Sequence, residues 1–204
     1  MDITDKYISS FLGETAQICG RLSCPRIRQI VDELVGLRAN HGRLFVLGVG
    51  GSAGNAAHAV NDFRKLADIE AYAPTDNVSE LTARINDDGW ESSYAQWLKG
   101  SRLGRGDAVL VLSVGGGSPQ RRVSMNLVEA IRYARQVDAR IYGIVGRDGG
   151  YTALNAHVCL VVPSFDPATV TPQTESFQSV LLHLIVSHPN LLVGRMKWES
   201  LSPR

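Results

Sequence analysis

The chain has 204 residues, of which 44% are hydrophobic and 20% are charged, and its formal net charge is +1. This length suits one domain with a sizeable core, and the near-neutral charge gives no sign of a nucleic-acid-binding surface. The longest apolar runs are strand-sized, so neither a membrane-spanning helix nor a membrane partner is predicted. The N-terminal residues lack a signal-peptide pattern, and three irregularly spaced cysteines favour reduced thiols, which together predict a cytoplasmic protein.

Helical and strand-like stretches alternate along the chain. Apolar spacing predicts two helices first, with Pro25 at a position that suits a helix start. In chain order the predicted elements are helices 3–22 and 26–42, strand 43–49, helix 52–67, strand 107–114, helix 118–136, strand 140–146, strand 157–163 and helix 171–189. Continuous apolar strands between helices predict a three-layer α/β sandwich with a central parallel sheet.

We expect these elements to form a single domain over residues 1–204. It would comprise two extra N-terminal helices (1–40), a sheet with its covering helices (43–188) and a tail (189–204). The final segment ESLSPR is expected to fray.

Two glycine-rich loops, GVGGS and LSVGGGSPQ, follow predicted strands. Their glycine and serine residues include Gly50, Gly51, Ser52, Ser113, Gly115 and Ser118. Glycine allows close approach of the backbone to a ligand, and a helix N-terminus offers unpaired N–H groups to an anion. Either loop alone is equally consistent with a tight turn in which the serine is a plain N-cap. Because both loops lie beyond the carboxyl ends of strands, the pair predicts a shared anion site.

His58 and Asp62 are four residues apart on one predicted helix, so their side chains share a face. The spacing suits two ligands of a metal ion, although an isolated pair of this kind is more often a histidine beside an exposed aspartate. His183 lies in an apolar helical run, where a hydrogen-bonded core role is the commoner one. Glu175 is about 12 Å from His183 along that helix. The two meet at one metal only if Glu175 reaches over from the helix start or another subunit contributes.

Together these features resemble the sugar isomerase (SIS) domain family, and within it the phosphoheptose isomerases. The resemblance covers nearly the whole chain and includes GVGGS, A-x-H with an acidic residue four positions on, INDDGW, the S-x-x-G-x-S loop and GRDGG. It implies a flavodoxin-like sheet and a homotetramer with active sites near subunit interfaces. It also implies a sugar phosphate substrate and one zinc ion per subunit. The implied reaction interconverts sedoheptulose 7-phosphate and D-glycero-D-manno-heptose 7-phosphate.

The resemblance assigns roles to individual residues. Asp62 and His183 stand at the catalytic acid–base positions. The implied zinc ligands are His58, Asp62, Glu175 and His183. The implied substrate-binding residues are Gly50, Gly51, Ser52, Asn86, Asp87, Ser113, Gly115 and Ser118.

Several positions depart from the family pattern. Val49, Val114 and Gly115 stand where the family usually has Asn, Thr and Ser, so two hydroxyl donors to phosphate are missing. Asp62 is one methylene shorter than the usual Glu, and Glu175 replaces the usual Gln. Either the substrate presents a different group at this point, or, as we expect, a basic side chain compensates for the missing hydroxyls. The candidates are Arg64, Lys65, Arg121 and Arg122, for which a solvated helix face is the alternative.

Two other functions stay open from the sequence. One is an isomerase or sensor of another sugar phosphate. The other is a non-catalytic SIS protein that binds a protein partner, although the acidic residue at 62 and the histidine at 183 argue against it.

Overall fold

A computed structural model of the protein describes residues 2–193. Residues 194–204, which include most of the predicted tail and its ESLSPR end, lie outside the described residues. The described part contains eight helices and five strands. They are α1 (Ile3–Arg21), α2 (Cys24–Ala39), β1 (Leu44–Leu47), α3 (Gly51–Leu66), β2 (Ala71–Tyr72), α4 (Val78–Asp88), α5 (Ser93–Gly100), β3 (Ala108–Ser113), α6 (Met125–Gln136), β4 (Arg140–Val145), α7 (Gly150–Asn155), β5 (Val158–Val161) and α8 (Val170–Val186).

The five strands form one parallel sheet in the order β2-β1-β3-β4-β5. Every residue of β1 and β3 is buried, because helices cover both faces of these central strands. The order is that of flavodoxin-like folds, in which ligands bind at the switch point beyond the carboxyl ends of the strands. Here that point lies between β1 and β3. The predicted α/β sandwich with a parallel sheet and two N-terminal helices is confirmed.

Two apolar clusters hold the layers together. On one face, α2, α3 and α8 pack on the sheet around Leu34, Phe63 and Leu181. On the other face, α5 and α6 pack around Trp97 and Ile131. The first cluster brings α3 and α8 side by side, which positions their polar faces. Among residues 2–193, no helix combines the length and the apolar character needed to span a membrane.

The structure corrects several predicted elements. Four strands were predicted, and the additional strand, β2, was missed because it is only two residues long. The helices α4, α5 and α7 were not predicted either. The helix predicted from residue 118 begins at Met125 instead. Ser118 and Val123 form an antiparallel bridge with reciprocal N–H···O bonds of 2.9 and 3.0 Å, so residues 118–123 are a hairpin. The segment SPQRR is polar and lacks apolar helical spacing, which explains why the helix does not extend through it.

Candidate active site

The first glycine loop turns the chain from β1 into α3. Gly50 has φ 63° and ψ −129°, a conformation that other residues rarely adopt, and it occupies the N-cap position of α3. Ser52 is therefore not the N-cap that the sequence suggested: it lies inside the first turn and is 1% exposed. The buried Tyr94 hydroxyl donates to the Gly48 carbonyl at 2.7 Å. Burial raises the pKa of Tyr94 to about 12, so the hydroxyl keeps its proton and fixes the loop.

The second glycine loop follows β3 and is held by hydrogen bonds to α7. Gly116 has φ 67°, and a Cβ there would collide with the carbonyl of Gly149. The Gly116 carbonyl accepts from the backbone N and the hydroxyl of Thr152, at 2.9 and 2.8 Å. Ser113 Oγ accepts from the Gly116 N–H at 3.0 Å. Since a hydroxyl is both acceptor and donor, Ser113 keeps its own proton for a ligand.

A cleft of about 1020 Å³ opens between the two loops, at the carboxyl ends of β1, β3 and β4. The structure thus brings both loops to one cavity, as predicted. Four of the predicted substrate-binding residues line it: Ser52, Ser113, Gly115 and Ser118. Asn86 and Asp87 instead lie exposed on α4, where Asn86 Nδ2 donates to Asp87 Oδ1 at 2.8 Å.

Two residues that sequence reasoning missed also line the cleft. Ser124, not Ser118, precedes α6, and its side chain makes no capping bond. Arg147 follows the carboxyl end of β4. Arg147 belongs to the motif GRDGG at the end of a predicted strand, a position that could have indicated a ligand-binding role.

His58, Asp62 and His183 converge in the groove between α3 and α8. The two imidazole Nε2 atoms are 2.9 Å apart, and the rings meet edge to face. Asp62 Oδ2 is 3.2 Å from His58 Nε2 and 3.6 Å from His183 Nε2. Asn61 Nδ2 donates to the other carboxylate oxygen at 3.1 Å. His183 is thus part of a polar cluster, and the buried core role considered from the sequence is not what the structure shows.

The geometry of this cluster fits a metal ion. Zinc–nitrogen and zinc–oxygen bonds of about 2.0–2.1 Å in a tetrahedron separate the ligand atoms by roughly 3.3 Å. The three separations among Asp62, His58 and His183 lie on either side of that value, and each residue has one ligand atom within 4.8 Å of the others. Both imidazole side chains are 54% exposed. Three ligands with an open side are typical of a catalytic rather than a structural site.

Glu175 lies further along the same groove, towards the first glycine loop. Its carboxylate oxygens are next to Gly51, in the space that a side chain at residue 51 would occupy. Asn55 Nδ2 donates to the Glu175 carbonyl at 2.8 Å and to Gln178 Oε1 at 3.1 Å, which ties α3 to α8. The carboxylate is not among the three converging ligand groups. A ligand role for Glu175 therefore stays a prediction.

The four basic residues predicted to compensate for the missing hydroxyls differ in their contacts and in whether they line the cleft. The Arg64 guanidinium lies over the Tyr72 ring at 5.6 Å, and Arg122 Nη2 contacts Glu91 Oε1 at 2.5 Å. Of the four predicted cations, Arg121 alone lines the cleft. Arg121 is thus the one predicted cation whose position could compensate for the missing hydroxyls.

Comparison with known proteins settles the family. A sequence model of the SIS domain matches residues 10–146. The chain is 31% identical to the phosphoheptose isomerase of Geotalea daltonii over 172 residues, 81% of this chain and 83% of that protein. With the phosphoheptose isomerase of Geotalea uraniireducens it shares 31% identity over 190 residues, 91% of this chain and 90% of that protein. The chain belongs to the SIS domain family.

A solved structure confirms the fold. The phosphoheptose isomerase from Neisseria gonorrhoeae superposes with a TM-score of 0.77 at 23% identity, covering 90% of this chain and 97% of that chain. The resemblance inferred from the motifs is therefore confirmed. So is the assignment of the chain as an enzyme of the phosphoheptose isomerase type.

Proposed function

We propose that the protein interconverts sedoheptulose 7-phosphate and D-glycero-D-manno-heptose 7-phosphate. The observation that carries the proposal is the convergence of Asp62, His58 and His183, although His58 and His183 are 125 positions apart in the sequence. Ser52 and His58 are six residues apart on α3, about 9 Å at the usual helical rise. The His–Asp cluster is not among the described residues that line the cleft, so a sugar whose phosphate lies at the glycine loops would have to extend along α3 to reach it.

The chemistry follows from the groups present. Aldose–ketose isomerisation moves a proton between C1 and C2 through an enediol, which requires a base and an acid within hydrogen-bond reach. In the proposed reaction Asp62 takes the proton from C1 of the ketose as the C1–C2 double bond forms and the C2 oxygen accepts a proton from His183. The O1–H proton then passes back to His183 as the C1 carbonyl forms, and Asp62 delivers its proton to C2.

The same residues are proposed to hold one zinc ion per subunit. His58, Asp62 and His183 would be ligands, with Glu175 as the fourth. When bound, the ion would polarise the sugar carbonyl as a Lewis acid. Glu175 adds a negative charge where the family usually has a neutral glutamine, and this charge favours holding a dication. A carboxylate that is fully engaged as a ligand is a poorer base, so the two roles of Asp62 compete.

We further propose a cytoplasmic homotetramer with active sites near the subunit interfaces, where Asn86 and Asp87 on α4 would contact the substrate. An apolar stripe on α1 supports the oligomer. Its four residues are 50–81% exposed: Ile3, Tyr7, Ile8 and Leu12. Contiguous exposed apolar faces of this kind are typical of protein–protein interfaces.

The test is exchange of the hydrogens at C1 of the ketose and C2 of the aldose with solvent deuterium, followed by NMR. Wild-type protein is expected to convert sedoheptulose 7-phosphate and to incorporate deuterium, and Asp62→Asn to lose both. Asp68→Asn is the matched control, because Asp68 is exposed just beyond α3 and asparagine tolerates its φ of 53°. An inactive wild type would overturn the proposed function. Exchange at the wild-type rate in Asp62→Asn would assign the base elsewhere.

A further inference from the structure

The second glycine loop lacks two family hydroxyls, and the side chain of Arg147 lies in contact with the position where one of them would start. A Cβ built on Gly115 would be 3.8 Å from Arg147 Cδ. The stem of Arg147 thus passes over the glycine that replaces the usual serine. The loss of a hydroxyl and the placement of a guanidinium occur at the same point of the cleft.

The backbone holds Arg147 firmly at this point. Gly146 N donates to the carbonyls of Ser113 and Val114 at 3.2 and 3.1 Å, so the residue before Arg147 is bonded to the second loop itself. Arg147 has φ 51°, in the left-handed region that arginine rarely adopts.

No side chain among residues 2–193 pairs with the Arg147 guanidinium: the hydrogen bonds and ion pairs of the described chain do not include it. Asp148 also lines the cleft, but its Oδ1 accepts from Gly150 N at 3.2 Å. Arg147 is exposed to the cleft and to solvent. Its charge is therefore available to an anion.

A second arginine faces the same cleft from the hairpin. Arg121 is at the tip of residues 118–123, and its backbone N donates to Ser118 Oγ at 3.3 Å. Within the described residues its guanidinium, like that of Arg147, has no partner. Its neighbour Arg122 is occupied by Glu91. The cleft thus carries two available guanidinium groups and one carboxylate beside its serine hydroxyls.

We propose that Arg147, with Arg121 on the hairpin, binds the phosphate of the substrate in place of the hydroxyls missing at Val114 and Gly115. The planar guanidinium donates two parallel hydrogen bonds to phosphate oxygens, which suits the replacement of two hydroxyl donors. Selection of sugar phosphates over free sugars then depends on arginine more than on serine. This assignment rests on the proposed function, because it takes the substrate to be a sugar phosphate.

Calorimetry with sedoheptulose 7-phosphate, sedoheptulose and inorganic phosphate tests the assignment. Arg147→Gln is expected to raise the Kd for sedoheptulose 7-phosphate roughly 10- to 100-fold and to weaken phosphate binding, while binding of sedoheptulose stays unchanged. KM should rise with little change in kcat, as expected for loss of a contact made equally in the ground and transition states. Arg147→Lys should restore part of the affinity, and Arg121→Gln should show a smaller loss of the same kind.

Arg102→Gln is the matched control. Arg102 is also an exposed arginine with a positive φ, 54°, but it lies near the amino ends of the strands, where its carbonyl accepts from Arg43. Its variant should bind all three probes like wild type. This assignment alone would be overturned if the wild-type enzyme isomerises sedoheptulose 7-phosphate but Arg147→Gln and Arg121→Gln both bind it as tightly as wild type does. A wild type that neither binds nor isomerises the sugar phosphate would overturn the proposed function and this assignment with it.

Discussion

Replacing Tyr94 by phenylalanine should show how much the first glycine loop depends on one buried hydroxyl. Tyr94 is 1% exposed, and its hydroxyl donates to the Gly48 carbonyl at 2.7 Å. Water cannot easily replace the hydroxyl there, so Tyr94→Phe leaves the carbonyl without this donor. A buried group that loses its partner costs about 1–3 kcal/mol of folding free energy. With a urea m-value of roughly 2 kcal/mol/M, the midpoint of unfolding should fall by about 0.5–1.5 M.

The assay is urea unfolding at fixed protein concentration, with Tyr133→Phe as the control. The described residues show no hydrogen bond from the Tyr133 hydroxyl, and its ring lies under Lys99. The control should therefore stay within about 0.5 kcal/mol of wild type. Equal midpoints for Tyr94→Phe, the control and wild type would refute the reasoning.

The same hydroxyl predicts a dependence on pH. Burial raises the pKa of Tyr94 from 10.0 to about 12. Between these values the unfolded chain releases the tyrosine proton and the folded chain retains it. Stability attributable to this group is therefore complete below about pH 10 and is lost as the pH rises towards 12. Tyr94→Phe should lack this part of the alkaline loss, whereas Tyr133→Phe should keep it.

Three further predictions concern other parts of the molecule. Burial raises the pKa of Glu33, but hydrogen bonds from Arg140 and Tyr142 lower it more and hold it below 4.5. The folding free energy that Glu33 contributes should therefore be lost as the pH falls below 4.5. Glu33→Gln should reduce that acid dependence and cost about 1–2 kcal/mol at neutral pH in urea unfolding. Leu12→Glu should lower the oligomer mass in light scattering, and an unchanged mass would exclude the α1 stripe from the interface. His58→Ala should lose most of the zinc measured by metal analysis of protein purified without chelator, and full activity of metal-free wild type would exclude the Lewis-acid role.

The sheet was predictable because its strands are buried on both faces and so form continuous apolar runs. The two glycine loops were placed correctly for the same reason: each follows such a run. Short elements were not predictable, since the two residues of β2 carry no periodicity. The start of α6 was misplaced because Ser118-Pro119 is typical of a helix start, whereas the hairpin depends on the backbone bridge between Ser118 and Val123.

Part of the candidate site could be predicted from the sequence, but its geometry could not. The spacing of His58 and Asp62 places both on one face of a helix, whatever the tertiary structure. Their contact with His183 depends on the packing of α3 against α8, which the local sequence does not encode. Arg147 could not be distinguished from a solvated arginine, because its importance comes from the space above Gly115.

The polar face of α3 explains how the packing of α3 against α8 positions the acid–base residues. Gly51, Asn55, His58 and Asp62 follow one another at intervals of four, three and four residues, so all four face α8. At Gly51 the missing side chain leaves room for the Glu175 carboxylate. The bonds from Asn55 to the backbone and side chain of α8 fix the register of the two helices one turn before His58. A slip of α8 by one residue advances the helix by about 1.5 Å and turns it by about 100°, which would carry the His183 imidazole away from His58 and Asp62. The position of the acid–base groups therefore depends on contacts nearer the glycine loop as much as on the groups themselves.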